Sequence, residues 1–480
     1  MKLLMIGADA VCPDYIFEHK GCYPNLAKLI DYGVSASYSS FVQKGYNGSY
    51  QSEMNWASIH TGKAPWEHGI QLAYDENHVS IMPKMKEHVG HDPLWSVLNN
   101  NHYRCGLWQV PCCLSPLEID GYVVSAQYEM LETPRDNRLS ERSIQVTEKD
   151  RWIIEFLPGN PPPRLYPKTL HQQGFDFDEL KRNTTKAEQA VRSYHFQDSI
   201  ENFKDELEYY YTAMIRAQER EPVDFMYFYT PTTDLIGHCA MYCDQSEVLV
   251  QAYQLLDEYV GKWIDSLNPE NVIVLSDHGM VNFKDLVYSK ETVIQKEAFD
   301  ARDDVLWLDN GYIAFEAHNG ALLFTAHGLK GTFIASGKDI VAGKQLQDMR
   351  TLDIYPTVLE LFGVSVPQKR NGFVLDCFNR PIINQERLWQ SDSHTYKKIA
   401  VFQTMAPNIT DIVVNEIYLH NRFAQITLIG EKRYHEIFEH NPRIAKFVSF
   451  EEFDESQFDE SYCGVYDEAS GLFTHIKIRG

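Results

Sequence analysis

Seven side chains with metal-binding or nucleophilic chemistry follow short apolar runs in this sequence of 480 residues. Carboxylates and imidazoles are the ligands that borderline divalent metals accept, and a serine hydroxyl can act as a nucleophile. The seven are Asp9, Ser52, Asp234, His238, Asp277, His278 and His327. Three Asp and three His in such positions predict a site for two metal ions, with a nucleophilic hydroxyl near it.

The spacing within the two Asp/His pairs supports chelation. Asp234 and His238 are four residues apart, so on a helical turn both side chains face the same way and can hold one ion. Asp277 and His278 are neighbours, which would point to opposite faces of a regular strand. We therefore expect the chain to turn there, with Gly279 supplying the conformational freedom.

Ser52 precedes an apolar stretch of helical character, Trp56 to Ile59, that ends near Gly62. A hydroxyl at the start of a helix lies in positive potential, which favours both its ionised form and an incoming phosphate group. Taken singly, each of the seven residues is more often a cap, a turn residue or a satisfied core residue. Their joint occurrence is what favours a functional site.

The elements that must position these residues alternate between buried strands and amphipathic helices. Between two of the apolar runs, residues 244–267 place apolar side chains at helical spacing, which predicts a crossover helix. The pattern predicts an α/β fold with a mostly parallel central sheet flanked by helices, and ligands bind at the carboxyl edge of such sheets. The runs predicted as strands are KLLMIGAD, RCGLWQVP, DFMYFYT, NVIVLSD and GTFIASG.

The alternation is interrupted twice, which suggests a division of the chain into three parts. Residues 128–220 are charged and Pro-rich, and we interpret them as an inserted cap that selects the substrate and ends in a helix. Residues 378–480 are interpreted as a C-terminal antiparallel extension, in which Ile412 to Leu419 pairs with Ala424 to Ile429. The catalytic α/β core then comprises residues 1–127 and 221–377.

Composition excludes several classes of protein. The net charge of −23 argues against a basic surface that wraps nucleic acid. No apolar run approaches the length of a membrane span, and no secretory leader is recognisable, so we expect a cytoplasmic protein without a membrane partner. The nine cysteines are scattered without a CxxC pair, which fits a reducing compartment and gives little support for a thiolate zinc site.

The segment SEMNWASIHTGKAPWEHGI resembles the nucleophile motif of the type I phosphodiesterase/nucleotide pyrophosphatase branch of the alkaline phosphatase superfamily. In that motif a Ser or Thr precedes TG, P and HGI, and Ser52 takes the nucleophile position. Further similarity runs through GYVVSAQ, RLYPKTL, HGLKGTFIASG and DIYPTVLELFGV, so that the resemblance covers most of residues 1–376.

The resemblance implies an alkaline phosphatase-like fold and a metal-dependent hydrolase of phosphate esters that acts through a phospho-seryl intermediate on Ser52. It implies that Asp234, His238 and His327 bind one divalent ion. The second ion would be bound by Asp9, Asp277 and His278, with the Ser52 oxygen beside it. Zn²⁺ is the expected metal, and Mn²⁺ or Fe would fit the same ligands. The expected partner is a small phosphorylated substrate, and the oligomeric state, including a homo-oligomer, stays open.

The motif also departs from the family pattern. Met54 stands where Pro is usual, and Ala73 stands where relatives have an Asn that helps to hold the phosphoryl oxygens. The oxyanion donor is thus unassigned, with Asn47, Asn55 and Lys330 as candidates that could equally serve packing or solubility. The Cys/Ser-x-Pro-x-Arg signature of sulfatases is absent, which disfavours a formylglycine sulfatase.

Two other readings of the function remain open at this point. A phosphomonoesterase, a phosphonate hydrolase or a metal-dependent phosphomutase could use the same metal pair, because the chemistry at phosphorus is shared. A catalytically silent binding protein is the alternative of another class. Against it, all six ligand positions and the nucleophile position hold chemically competent residues.

Overall fold

A computed structural model of the chain describes residues 1–480 except for a set of internal gaps and the last residue. The residues left undescribed are 42–51, 69–92, 112–118, 129–138, 141, 163, 166–179, 181–182, 184–196, 241–245, 283–304, 308–312, 317–321, 324, 329, 369, 371, 389–396, 405–409, 411–412, 415–416, 418–423, 435–443, 468–471 and 480.

The strands are numbered here along the chain. They are β1 (Leu3–Ala8), β2 (Gly33–Ser39), β3 (Cys105–Trp108), β4 (Gly121–Tyr128), β5 (Leu139–Ser140), β6 (Arg142–Gln145), β7 (Arg164–Leu165), β8 (Phe225–Thr230), β9 (Asn271–Leu275), β10 (Gly279–Asn282), β11 (Val305–Trp307), β12 (Ile313–Glu316), β13 (Leu322–Leu323), β14 (Thr325–Gly328), β15 (Lys330–Gly337), β16 (Lys344–Gln345), β17 (Lys397–Phe402), β18 (Ala424–Gly430), β19 (Ile444–Ser449), β20 (Glu460–Asp467) and β21 (Leu472–Arg479).

The α-helices are numbered in the same way. They are α1 (Pro13–Glu18), α2 (Pro24–Asp31), α3 (Ser52–Thr61), α4 (Pro65–His68), α5 (Leu94–Asn100), α6 (Gln197–Arg220), α7 (Thr232–Ala240), α8 (Ser246–Leu267) and α9 (Ile354–Phe362). Short 3-10 helices lie at Lys20–Cys22, Glu148–Phe156, Thr351–Asp353, Gln385–Arg387, Lys432–Tyr434, Phe450–Glu452 and Glu455–Gln457.

In the described part of the chain, nine strands form the central sheet, in the order β16-β2-β15-β9-β1-β8-β3-β4-β6. The central run from β9 through β1, β8 and β3 to β4 is parallel throughout. This confirms the predicted α/β fold with a mostly parallel central sheet. One predicted strand differs: β15, from the run GTFIASG, pairs antiparallel with both β2 and β9. Its apolar run shows only that both faces are buried, and burial does not reveal strand direction.

Helices cover both faces of this sheet, because residues along each strand alternate between two cores. In β1, Leu4 and Ile6 belong to one core, and Leu3 and Met5 belong to the other. The first core is closed by apolar side chains of α2, α6 and α8. The second core is closed by α3, α5 and α9. The result is a three-layer sandwich in which α3 and α7 start beside the same edge of the sheet.

The two ends of the predicted cap, residues 128–220, are parts of the core. Strand β6 pairs with β4 at the edge of the central sheet. Helix α6 buries Phe203, Tyr210 and Met214 in the first core, against side chains of β8 and α8. The apolar stripe of α6 therefore covers this face of the sheet, because positions i, i+7 and i+11 lie on one side of a helix. Between these ends much of the segment lies outside the described residues, and its role in substrate selection stays a prediction.

The C-terminal extension is a second sheet of five strands, ordered β19-β18-β17-β20-β21. The prediction of an antiparallel pair is wrong. Strand β18 pairs in parallel with β17 and β19, and the described residues of 412–419 are helical. Val413, Val414 and Ile417 pack on this sheet with the helical spacing i, i+1 and i+4. Among the described strands of this second sheet, β20 and β21 are the one pair that runs antiparallel.

Within the described residues, no helix combines the length and the apolar composition that crossing a membrane requires. The cysteines described there, Cys12, Cys22, Cys105, Cys377 and Cys463, are all free thiols.

Truncating a buried residue of α6 should destabilise the whole core. Met214→Ala should lower the free energy of unfolding by about 2–5 kcal/mol, because it removes a buried side chain and leaves a cavity. Arg216→Ala, at an exposed position of the same helix, should change it by less than about 0.5 kcal/mol. Urea unfolding followed by tryptophan fluorescence measures both. Equal stability of the two variants would mean that α6 does not belong to the core.

The C-terminal sheet should lose stability in acid through Glu460. Burial alone would raise the pKa of this carboxyl, but hydrogen bonds from Lys397, Lys477 and Tyr462 lower it to about 2. A lowered pKa in the folded state adds stability above the unfolded-state pKa, and this stability is lost as the pH falls towards 2. Glu460→Gln should therefore destabilise the protein at pH 7, with a difference from wild type that narrows below pH 4.5. A difference independent of pH would contradict this assignment.

Candidate metal centre

Three neighbouring strands of the central sheet bring five of the seven predicted residues to one edge. Strands β9, β1 and β8 are adjacent and parallel, so their carboxyl ends meet. Asp9 follows β1, and Asp277 and His278 follow β9. Asp234 and His238 lie on α7, which begins two residues after β8. This is the edge at which open α/β sheets bind ligands.

The other two residues reach the same edge from different directions. Ser52 is the first residue of α3, as the sequence suggests. His327 lies one residue before the carboxyl end of β14, close to the position predicted for it. This strand is not part of the central sheet but forms a two-stranded ribbon with β10, which sets His327 opposite Met280. The ribbon continues directly from the Asp277–His278 turn, so the fold brings His327 back over the sheet edge.

Asp234, His238 and His327 form one compact group. Nε2 of His238 lies 3.0 Å from Nε2 of His327. Oδ1 of Asp234 lies 3.4 Å from the first of these nitrogens and 3.3 Å from the second. The i, i+4 spacing on α7 thus places both side chains on the same side of the helix, as predicted.

Asp9, Asp277 and His278 form a second group, with Ser52 against it. Nε2 of His278 lies 3.5 Å from Oδ1 of Asp9 and 3.2 Å from Oδ2 of Asp277. The Ser52 Oγ lies 3.0 Å from the same nitrogen and donates to Oδ1 of Asp9 at 3.2 Å. His278 also stacks on His327 with 3.9 Å between ring centroids, so the two groups adjoin.

The tautomer of His278 follows from its other ring nitrogen. Nδ1 lies 2.9 Å from the Gly279 carbonyl oxygen, which can only accept a hydrogen bond. Nδ1 must therefore carry the proton, and Nε2 presents a lone pair to the carboxylates and to Ser52. A lone pair facing two carboxylate oxygens is unfavourable unless a cation lies between them.

The spacing of these atoms fits tetrahedral metal binding. Ligands about 2.0–2.1 Å from a zinc ion are separated from one another by roughly 3.3 Å in a tetrahedron. Both groups show donor separations of 3.0–3.5 Å. Oδ1 of Asp234 and Oδ2 of Asp277 are buried and accept no hydrogen bond from the described part of the chain. Each oxygen is thus available to a cation, and we conclude that the residues fit a pair of divalent ions.

Burial shifts the pKa values of the carboxyls and imidazoles of the centre towards their neutral forms. It raises the pKa of Asp9, helped by the charge of Asp234, and it raises the pKa of Asp277 strongly, helped by the charge of Asp9. Burial and the nearby His327 lower the pKa of His278 to about 4, and burial together with the nearby His238 lowers the pKa of His327 well below its usual value. Neutral imidazoles are the form that binds metals.

The backbone at the centre differs from the expectation for Gly279. A bend at Asp277 does turn the chain, but Gly279 is not in the left-handed region. A Cβ there would lie 2.7 Å from the Lys330 carbonyl oxygen, so glycine is required by close packing. At the centre, positive φ occurs instead at Ala10, with a value of 56°. The amide of Ala10 donates a hydrogen bond to Oδ1 of Asp277 at 3.3 Å. Left-handed backbone at a non-glycine residue is strained, and here it aims a donor at a predicted ligand.

Four further residues at the centre were not found from the sequence. Tyr229 and Trp56 donate to Oδ2 of Asp9, and Thr233 donates to its backbone carbonyl. Glu53 follows Ser52, and burial raises the pKa of its carboxyl to about 7. Aromatic residues within apolar runs are typical of cores, so their spacing carries no sign of these contacts. Glu53 could have been noticed only by its adjacency to Ser52.

The oxyanion donor stays unassigned by the structure. Asn47 and Ala73 lie outside the described residues. The side chain of Asn55 is held by the backbone of Phe41. Its Oδ1 accepts a hydrogen bond from the Phe41 amide and its Nδ2 donates one to the Phe41 carbonyl oxygen, each at 2.8 Å, so its role is structural. Lys330 is exposed, and Met54 is buried in a small apolar cluster.

Comparison with known proteins shows that the sequence matches one protein family over most of its length. The family model described as type I phosphodiesterase/nucleotide pyrophosphatase matches residues 3–331, more than half of the chain. No curated protein matches the sequence significantly. Among solved structures, human ectonucleotide pyrophosphatase/phosphodiesterase 5 is 14% identical, with a TM-score of 0.44, over 78% of this chain and 97% of its own. The murine protein is 15% identical, with a TM-score of 0.43, over 77% and 97%.

Removing a predicted ligand should release metal without unfolding the protein. His327→Ala and Asp277→Ala should each weaken metal binding by about 100-fold or more, because even indirect partners of a metal contribute 10- to 100-fold. Asp257→Asn is the control, since this buried carboxylate of α8 accepts from the backbone of Asn25 and Leu26. Elemental analysis of purified proteins measures the stoichiometry. Unchanged metal content and activity in both ligand variants would refute the assignment.

Proposed function

We propose that this chain, which belongs to the type I phosphodiesterase/nucleotide pyrophosphatase family, hydrolyses small nucleotide-type phosphodiesters or pyrophosphates. The reaction would proceed through a phospho-seryl intermediate on Ser52. Membership makes the chain a hydrolase of phosphate esters, and the finer statement about substrate and mechanism is the proposal. The observation that carries it is the convergence of Ser52 with the two Asp/His groups at one sheet edge.

Two divalent ions, most simply Zn²⁺, are part of this proposal. Asp234, His238 and His327 would hold one of them. Asp9, Asp277 and His278 would hold the other, beside Ser52. Mn²⁺ or Fe would suit the same nitrogen and oxygen donors. When bound, such ions supply the positive charge that favours an ionised serine hydroxyl and offsets the charge of the phosphoryl oxygens and the leaving oxygen.

Ser52 carries the covalent step. Its Oγ loses its proton and forms a bond to phosphorus while the bond from phosphorus to one ester oxygen breaks, and that oxygen takes up a proton as the leaving group departs. A water molecule then attacks phosphorus, the bond from phosphorus to Oγ breaks, a proton returns to Oγ, and the remaining phosphomonoester is released. The position of Ser52 at the first residue of the ten-residue helix α3 supports this role, since the positive end of the helix favours phosphoryl oxygens.

The surroundings of Ser52 hold its hydroxyl in place for attack. The Ser52 Oγ lies within hydrogen-bonding distance of Oδ1 of Asp9 and of the unprotonated Nε2 of His278, and both of these atoms can accept its proton. Glu53 adds a second carboxyl whose pKa of about 7 lets it exist in both protonation states near neutral pH. The net charge of −23 opposes the long-range approach of an anionic substrate, so capture must depend on this local centre.

Ser52→Ala should separate chemistry from metal binding. We expect kcat to fall by roughly 10³-fold or more, because the group that forms the covalent intermediate is removed, while the metal content stays that of wild type. Ser58→Ala is the matched control on the same helix, where the buried hydroxyl contacts Nε2 of His68 and lies away from the ligand atoms. Hydrolysis of bis(p-nitrophenyl) phosphate measures both variants. Near wild-type turnover by Ser52→Ala would remove Ser52 from the mechanism.

Assays of bis(p-nitrophenyl) phosphate and p-nitrophenyl phosphate in parallel test the substrate class. The proposal expects the diester to be the better substrate by kcat/KM. Preference for the monoester would instead favour a phosphomonoesterase on the same centre. No turnover of either compound by metal-loaded protein would favour a binding protein.

A further inference from the structure

Asp9 differs from the other two carboxylates of the centre in how its oxygens are used. Its Oδ2 accepts hydrogen bonds from the Tyr229 hydroxyl at 2.5 Å and from Nε1 of Trp56 at 3.3 Å. Its Oδ1 faces Ser52 and His278. Asp9 and Tyr229 are both buried. One side of the carboxylate is therefore directed to the protein and the other to the centre.

The two donors come from different elements, so the direction of the carboxylate is fixed from two sides. Tyr229 lies at the end of β8, the strand next to Asp9, and Trp56 lies one turn into α3. Their rings contact each other edge to face, with 5.1 Å between centroids. A rotation of the carboxylate that offered both oxygens to one ion would break both hydrogen bonds inside a buried site, which is costly.

We propose that Tyr229 is a positioning residue that, with Trp56, restricts Asp9 to metal binding through Oδ1 alone. This inference rests on the proposed function, because it deepens the role of Asp9 in that metal site. Single-oxygen binding keeps Oδ1 next to the Ser52 hydroxyl and leaves the remaining coordination to Asp277, His278 and the reacting group. Outer partners of this kind orient ligands and tune their affinity for the metal.

The same strand supplies a matched control. Tyr227 lies two residues before Tyr229, so both side chains leave the same face of β8. The Tyr227 hydroxyl also makes a buried hydrogen bond, to Nε2 of His60 at 3.2 Å, but that histidine lies in the core beneath the centre. Changing either tyrosine to phenylalanine removes one buried hydroxyl and keeps the ring. The Tyr229 hydroxyl contacts a predicted ligand, Asp9, whereas the hydrogen bond described for Tyr227 goes to a core histidine.

The test is a zinc titration of full-length protein freed of metal with a chelator, by calorimetry against a competing chelator. We expect Tyr229→Phe to weaken one of the two sites by about 10- to 100-fold and to leave the other unchanged. Tyr227→Phe should bind both ions like wild type, although it should also lower Tm. Circular dichroism and Tm of the two variants show whether each is folded.

Three results overturn the inference, and they are distinguishable. If Tyr229→Phe lowers Tm but binds both ions as tightly as wild type, the hydroxyl is structural only. If both tyrosine variants weaken zinc binding equally, the effect is a general loss of stability. If the wild-type protein itself binds no zinc while remaining folded, the proposed function fails first, and the role of Tyr229 fails with it.

Discussion

Three carboxylates that share one poorly solvated edge of the sheet set the constraint on which the rest of the site depends. Asp9 and Asp277 offer oxygens within 4.8 Å of each other, and two like charges at that distance repel by about 3–4 kcal/mol at the effective dielectric constant of a protein. Within the described part of the chain, every ion pair of Asp9, Asp234 and Asp277 is with a histidine, and none is with Lys or Arg. The neutral imidazoles offer lone pairs rather than charge. A bound cation is the simplest means of stabilising this arrangement.

The fold accounts for why such an arrangement can persist. The ligands sit on the ends of buried strands whose apolar side chains close two cores, so the stability of the sandwich holds the carboxylates together. Several local features add to this rigidity. Ala10 holds a strained conformation that directs its amide at Asp277, and Tyr229 and Trp56 hold Asp9. Strained backbone at Ala10 beside unpaired oxygens of Asp234 and Asp277 is typical of functional sites.

The sequence predicted the class of fold and the convergence of the site residues, but it did not predict how some of them are supported. Asp9 and Asp277 could be placed because parallel strands end at one edge, a rule that needs only the order of apolar runs. The ribbon that holds His327 could not, because its antiparallel register depends on segments distant in sequence. A short apolar run fits a strand and a helix equally well, so the sequence does not reveal that Val413, Val414 and Ile417 are helical rather than extended. In the sequence, Tyr229 cannot be distinguished from the aromatic residues of the core. Its contact with Asp9 is therefore seen only in the three-dimensional structure.

The most direct measurement of the central claim is an anomalous-diffraction map of crystals of the zinc-loaded protein, recorded on both sides of the zinc edge. The account predicts two anomalous peaks per chain at the edge formed by β9, β1 and β8. One should lie within bonding distance of Asp234, His238 and His327, and the other within bonding distance of Asp9, Asp277 and His278, next to Ser52. A well-ordered map with no peak at this edge, or with peaks only elsewhere on the chain, would contradict the account.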